Sequence, residues 1–94
     1  MPYVLVRHNV NDYDTWKPVY DEDAGNRKAH GCKGARVLRN ANNPNEVFVI
    51  TEFSDLEDAQ GFTESPELRE RMQRGGIVDH PDVYFLDEVE RTAY

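Results

Sequence analysis

Residues 46–53 read Glu46-Val47-Phe48-Val49-Ile50-Thr51-Glu52-Phe53. β-Branched and aromatic residues fill the stretch, and its short length suits a strand better than a helix. Alternation puts Val47, Val49, Thr51 and Phe53 on one face and Phe48 and Ile50 on the other. Both faces are apolar, so both are expected to be covered. Helices packed on one side of a sheet cover only one of them.

Upstream of this strand, Asn40-Ala41-Asn42-Asn43-Pro44-Asn45 is a turn by composition. Cys32–Asn40 reads as a strand, with Val37 and Leu38 on opposite faces. Gly31 and Gly34 mark the end of a preceding helix and the start of that strand. The helix opens at Asn11-Asp12, whose short side-chain oxygens suit an N-cap. Tyr13, Trp16, Tyr20, Ala24 and Arg27 then recur at steps of three and four, with Val19 beside them. Pro18 deletes a backbone donor inside this helix and is expected to kink it or delay its regular part. Tyr3–Val10 is the first strand, with Tyr3, Leu5, Arg7 and Asn9 on one face and Val4, Val6, His8 and Val10 on the other.

Downstream, Ser54-Asp55-Leu56-Glu57 matches a capping box before a short helix carrying Leu56, Ala59 and Phe62. Ser65-Pro66-Glu67 restarts a helix, with serine as cap and proline at the first helical position. Leu68 and Met72 share a face of it, and Gly75-Gly76 ends it. His80-Pro81 is extended or turned. Val83–Val89 is the last strand and Glu90–Tyr94 a tail. The order is βαββαβ, with the second helix in two pieces. That order implies an α+β, ferredoxin-like fold: a four-stranded antiparallel sheet with helices on one face and right-handed crossovers. The 94 residues are expected to form a single domain over 1–94.

Composition narrows the function. Mean hydropathy is −0.81, and a domain near this size buries only about two-thirds of its unfolded surface. A homodimer joined through the sheet face would cover the apolar residues that the helices leave open. The alternative is a monomer with a partly wet sheet. Net charge is −7, which argues against a nucleic-acid partner. Residues 1–45 hold seven bases and five acids, and residues 46–94 four bases and thirteen acids. No apolar run is long enough to span a membrane. The opening MPYVLVRHNV lacks the layout of a signal peptide, so a cytoplasmic location is expected. Cys32 is the single cysteine, which leaves no internal disulfide. His8, His30 and His80 lack metal-ligand spacing, so no metal is expected. Gly31-Cys32-Lys33-Gly34 lacks the spacing of a phosphate loop.

Several segments carry a family resemblance. They are Asp12-Tyr13-Asp14-Thr15-Trp16-Lys17 after a strand, Gly34-Ala35-Arg36-Val37-Leu38-Arg39, Asn43-Pro44-Asn45-Glu46-Val47 leading into Glu52-Phe53, and Ser65-Pro66-Glu67-Leu68-Arg69-Glu70-Arg71-Met72. With the βαββαβ order, the chain resembles the dimeric α/β-barrel superfamily, most closely its small antibiotic-biosynthesis-monooxygenase-like members. The resemblance implies a homodimer. It further implies a cofactor-independent monooxygenase acting on an aromatic or polyketide-like small molecule. The alternative is a non-catalytic small-molecule-binding or interaction dimer of the stress-responsive α/β-barrel type. The haem-degrading branch fits poorly: Asn9 matches its strand asparagine, but Phe62 and Met72 stand where it carries tryptophan and histidine.

The candidate residues follow from this reading. His8 is placed to act as a general base near neutral pH; the plainer role is a core histidine bonded to a backbone carbonyl. Asn9 is a candidate to polarise a substrate oxygen, although alternation sends it to the face opposite His8. Tyr13, Trp16, Tyr20 and Phe62 are candidates to line a pocket for a flat ligand, or to be core. The basic run Arg27, Lys28, Lys33, Arg36 and Arg39 is a candidate anion site or a solvated face.

Overall fold

The computed structural model describes residues 2–94. The elements run β1 (Pro2–Asn9), α1 (Tyr13–Glu22), α2 (Ala24–Ala29), β2 (Cys32–Asn40), β3 (Asn43–Phe53), α3 (Leu56–Thr63), α4 (Pro66–Arg74) and β4 (Asp82–Asp87). The four strands form one antiparallel sheet in the order β2-β3-β1-β4. This is the ferredoxin-like α+β arrangement that the element order implies.

Register sorts the side chains. Val4 stands opposite Thr51, Val6 opposite Val49, and His8 opposite Val47. These residues face the helices, and all except Val49 are buried. The core has two clusters. One joins Val4, Val6, Phe53, Ala59 and Phe62, with Cys32, Leu68 and Met72 against it. The other joins Val10, Trp16 and Val47, with Tyr13, Tyr20, Val37, Val49 and Ile77 against it. Phe53, Val4 and Val47 reach zero exposure, so the centre of the inner face is completely buried.

The opposite sheet face carries Tyr3, Leu5, Phe48, Ile50, Leu38, Tyr84 and Leu86, as the pairings Tyr3–Leu86, Leu5–Ile50, Leu5–Tyr84 and Leu38–Phe48 require. Leu38, Tyr84 and Leu86 are 47%, 53% and 44% exposed. Phe48 and Ile50 are half-buried, against full burial for Val47 and Phe53 beside them. The two-faced third strand therefore has one face covered within the chain and the other open.

Local chemistry moves several boundaries. Pro18 sits inside α1 without ending it, and the chain breaks instead at Asp23, between α1 and α2. The asparagine-rich turn is much shorter than its composition implies. Only Ala41 and Asn42 separate β2 from β3. Asn40 Oδ1 accepts from the Asn42 amide at 2.8 Å, and Asn43 Oδ1 from the Asn45 amide at 3.2 Å. Those local bonds hold a tight hairpin with a register shift beside Asn40. The cap of α3 is Asp55 rather than Ser54, its Oδ1 accepting from the Asp58 amide at 2.8 Å. Ser65 caps α4 as its sequence implies, Oγ accepting from the Leu68 amide at 3.1 Å. β4 ends at Asp87 rather than Val89.

Candidate functional site

A half-open cavity of about 60 Å³ lies between the two core clusters. Val6, Phe62, Leu68 and Met72 of the first cluster and Trp16, Tyr20 and Val49 of the second line it, together with His8. The site thus forms where β1 and β3 present their inner face to α1, α3 and α4.

His8 is 2% exposed. Its Nδ1 lies 3.3 Å from the Val47 carbonyl. A carbonyl only accepts, so Nδ1 carries the proton and Nε2 is the basic nitrogen of the neutral ring. Burial pushes the His8 pKa below the ordinary histidine value, with the Val47 carbonyl pulling the other way. The neutral form is the one favoured in the fold. Trp16 meets the imidazole edge-on, at 5.6 Å between centroids and 90° between planes.

The aromatic stripe of α1 divides. Trp16 and Tyr20 stack at 5.2 Å with 10° between planes. Both line the cavity, as does Phe62. Tyr13 tilts against Trp16 at 5.8 Å but is not in the cavity wall. Its ring instead carries the Arg39 guanidinium at 4.3 Å. Asn9 is also away from the cavity. Its backbone amide donates to Asp79 Oδ1 at 2.8 Å and its Nδ2 to Asp79 Oδ2 at 2.7 Å. Both bonds hold Asp79 below the usual carboxylate range. The structure therefore brings His8, Trp16, Tyr20 and Phe62 together, and places Asn9 and Tyr13 elsewhere.

The basic run divides too. Arg27 enters the cavity wall, its guanidinium 3.9 Å from the Tyr20 ring centroid and donating to the Tyr20 carbonyl at 2.9 Å. Lys28, Lys33 and Arg36 are exposed. On the outer sheet face Arg7 pairs with Glu46 at 2.7 Å and with Asp79 at 3.1 Å.

Sequence reasoning missed four polar or flexible members of the wall: Asp23, Thr51, Arg71 and Met72. The signal for Asp23 was its place three residues beyond Tyr20 on the aromatic stripe. An acid on an apolar stripe is the informative exception. The signals for Arg71 and Met72 were their positions three and four residues beyond Leu68. Among the described residues, no cluster of three His, Cys, Asp or Glu side chains is arranged to hold a metal ion. No helix there is long and apolar enough to cross a membrane.

Comparison with solved structures finds close agreement in fold. The oxygenase SnoaB of Streptomyces nogalater, described as cofactor-independent, aligns over 96% of this chain and 94% of its own, at 12% identity and a TM-score of 0.80. Rv0793 of Mycobacterium tuberculosis aligns over 99% and 100%, at 16% identity and a TM-score of 0.70. A structure described as an antibiotic biosynthesis monooxygenase aligns over 96% and 100%, at 15% identity and a TM-score of 0.76. At these identities the likeness shows the fold. Comparison of the sequence with curated proteins finds no match. Residues 13–74, from the start of α1 to the end of α4, match the family described as antibiotic biosynthesis monooxygenase, and the chain belongs to that family.

Proposed function

We propose that the protein is a small cofactor-independent monooxygenase acting on an aromatic or polyketide-like molecule seated in the His8 cavity. The observation that carries this reading is His8 itself: buried in the cavity wall, neutral, with Nδ1 tied to Val47 and Nε2 basic. Such a nitrogen takes a proton from an acidic C–H or O–H of a bound ligand, and the resulting anion reacts with dioxygen. Trp16, Tyr20 and Phe62 offer flat apolar surface to a flat ligand. The cavity is half-open, so a ligand larger than the enclosed space projects outward. Asn9 has no part in this chemistry, because its side chain is engaged by Asp79.

The same proposal includes a cytoplasmic homodimer joined through the outer sheet face. Exposed Leu38, Tyr84 and Leu86 support it, because contiguous apolar surface of this kind marks an interface. The charges of Arg7 and Glu46 beside them would set the register of two sheets.

Oxygen uptake with anthrones and quinols tests the enzyme reading. Uptake by the unmodified protein that falls at least 100-fold in His8→Ala supports it. No uptake across the panel refutes it. A second reading, a non-catalytic binding or interaction dimer, is favoured by one fact. The one hydrogen bond that the described residues give the His8 ring is to a carbonyl, with no carboxylate to orient it. Ligand binding without uptake selects that reading.

A further inference from the structure

Asp23 stands between α1 and α2 and is 2% exposed. Its position is the N-cap of α2, yet its side chain makes no capping bond. Neither carboxylate oxygen has a donor in good hydrogen-bond geometry, although the Asn26 side chain lies near enough to favour the charged form. Arg27 approaches only to 4.0 Å. A buried carboxylate without donors is costly, because it has lost water and gained little in return. Asp23 belongs to the wall of the same cavity as His8. A second buried polar atom without a hydrogen bond, Arg71 Nε, belongs to that wall as well; Glu22 Oε2 approaches it only to 3.9 Å. The rest of the wall is largely apolar.

We propose that Asp23 is the polar recognition residue of this cavity, accepting a hydrogen bond from a neutral phenolic or enolic hydroxyl on an otherwise apolar ligand, with Arg71 Nε–H as the complementary donor. The inference rests on the reading of the cavity as a ligand site and specifies what that ligand carries. A hydroxyl both donates and accepts, which suits a carboxylate beside an N–H. A ligand carboxylate meets the Asp23 charge, and a ligand ammonium meets Arg27 and Arg71. Neutral ligands avoid both conflicts. Asp23 and Arg71 have almost no solvent contact at these atoms, so a side-chain rotation accompanies binding. The hydroxyl is then held in the cavity that His8 also lines, which orients the ring for proton transfer to Nε2.

The test uses four probes of similar size: phenol, toluene, benzoate and benzylamine. Trp16 is the single tryptophan and lines the cavity, so its fluorescence, excited beyond phenol absorption, reports binding. The expected result is phenol binding at least 10-fold tighter than toluene, with benzoate and benzylamine weaker than phenol. In Asp23→Leu the phenol preference should collapse to within about 3-fold, while toluene affinity is unchanged. Where that variant fails to fold, Asp23→Asn takes its place, and at least a 3-fold loss specific to phenol is expected. Equal affinity for phenol and toluene, or a preference that survives substitution, overturns the Asp23 assignment and leaves the cavity reading intact. Failure of all four probes to bind overturns both.

Discussion

The rings of Trp16 and Tyr20, one turn apart on α1, stack with 5.2 Å between centroids and 10° between planes. The Arg27 guanidinium lies 3.9 Å from the same Tyr20 ring. Indole, phenol ring and guanidinium form one layered unit on the helix side of the cavity. Replacing Tyr20 by Leu keeps an apolar side chain and removes these two ring interactions together with a longer one from Lys17 Nζ, 5.7 Å from the ring centroid. An aromatic pair contributes about 0.5–1.5 kcal/mol and an exposed cation–π contact about 0.5–1 kcal/mol. Tyr20→Leu should therefore lose about 1–2 kcal/mol in urea unfolding and alter Trp16 emission. A variant with unchanged emission and stability would show that the layer contributes nothing.

His8 makes the fold sensitive to acid. Burial depresses its pKa, while the Val47 carbonyl and Asp79 raise it and Arg7 lowers it further. The unfolded chain titrates near the ordinary value of 6.5. Below that pH the unfolded state binds the proton more readily than the folded state. Stability is therefore complete above about pH 6.5 and declines as pH falls toward the depressed folded value. His8→Leu removes this contribution. The stability difference between the variant and the unmodified protein, measured in urea, should move in the variant's favour from pH 7.5 to 5.5. A difference independent of pH would show that His8 titrates alike in both states.

Asp23 has the opposite sign. Burial raises its pKa, against the pull of Asn26, Arg27 and Arg71 and with that of Glu67. The folded state then holds the proton at a pH where the unfolded state has released it. Ionised Asp23 costs stability at neutral pH, and the cost disappears as pH falls through the raised folded value. Asp23→Asn should be more stable than the unmodified protein at pH 7, with the advantage shrinking on acidification. Such a gain accompanied by weaker phenol binding is the pattern of a residue kept for a ligand at the expense of the fold. Urea midpoints at pH 7 and pH 4.5 check it, and a variant less stable at pH 7 contradicts it.

The elements that carried the fold in the sequence were those with strong period-two patterns and side-chain caps. Glu46–Phe53 showed its two faces directly, and Ser65-Pro66 placed the start of α4. The asparagine turn and the start of α3 were misplaced by one to three residues, because several Asn, Asp and Ser side chains there compete for the same backbone amides. The site was legible as residue types on one face: His8 among valines, and aromatics on α1. Its closure was not. Asp23 and Arg71 stand at helical spacing from Tyr20 and Leu68, but their meeting in one cavity follows from the packing of α1 against α4, which no local period encodes. The separation of Tyr13 from its stripe likewise depends on Arg39, a residue of β2 brought to its ring by the sheet.

The outer sheet face gives the assembly its test. Ile50 stands opposite Leu5 on β1 and Arg36 on β2, near the middle of the open apolar face. It is half-buried in the single chain, so a charge there retains access to water while the chain is alone. Two sheets packed face to face would bury it on both copies and place like charges near one another. Ile50→Glu should therefore leave the fold intact by circular dichroism and convert a dimer to a 10.9 kDa monomer in sedimentation at micromolar concentration. Leu5→Glu, directly across from it, should do the same, and Lys28→Glu on the helix side should not. If the unmodified protein sediments as a monomer, the sheet face is not a self-association surface. If instead both outer-face variants remain dimeric, the dimer exists but is built on another surface. The two results separate the existence of the dimer from its placement, because other apolar side chains are exposed away from that face, among them Val83 and Phe85 of β4 at 40% and 43%, turned toward the helices.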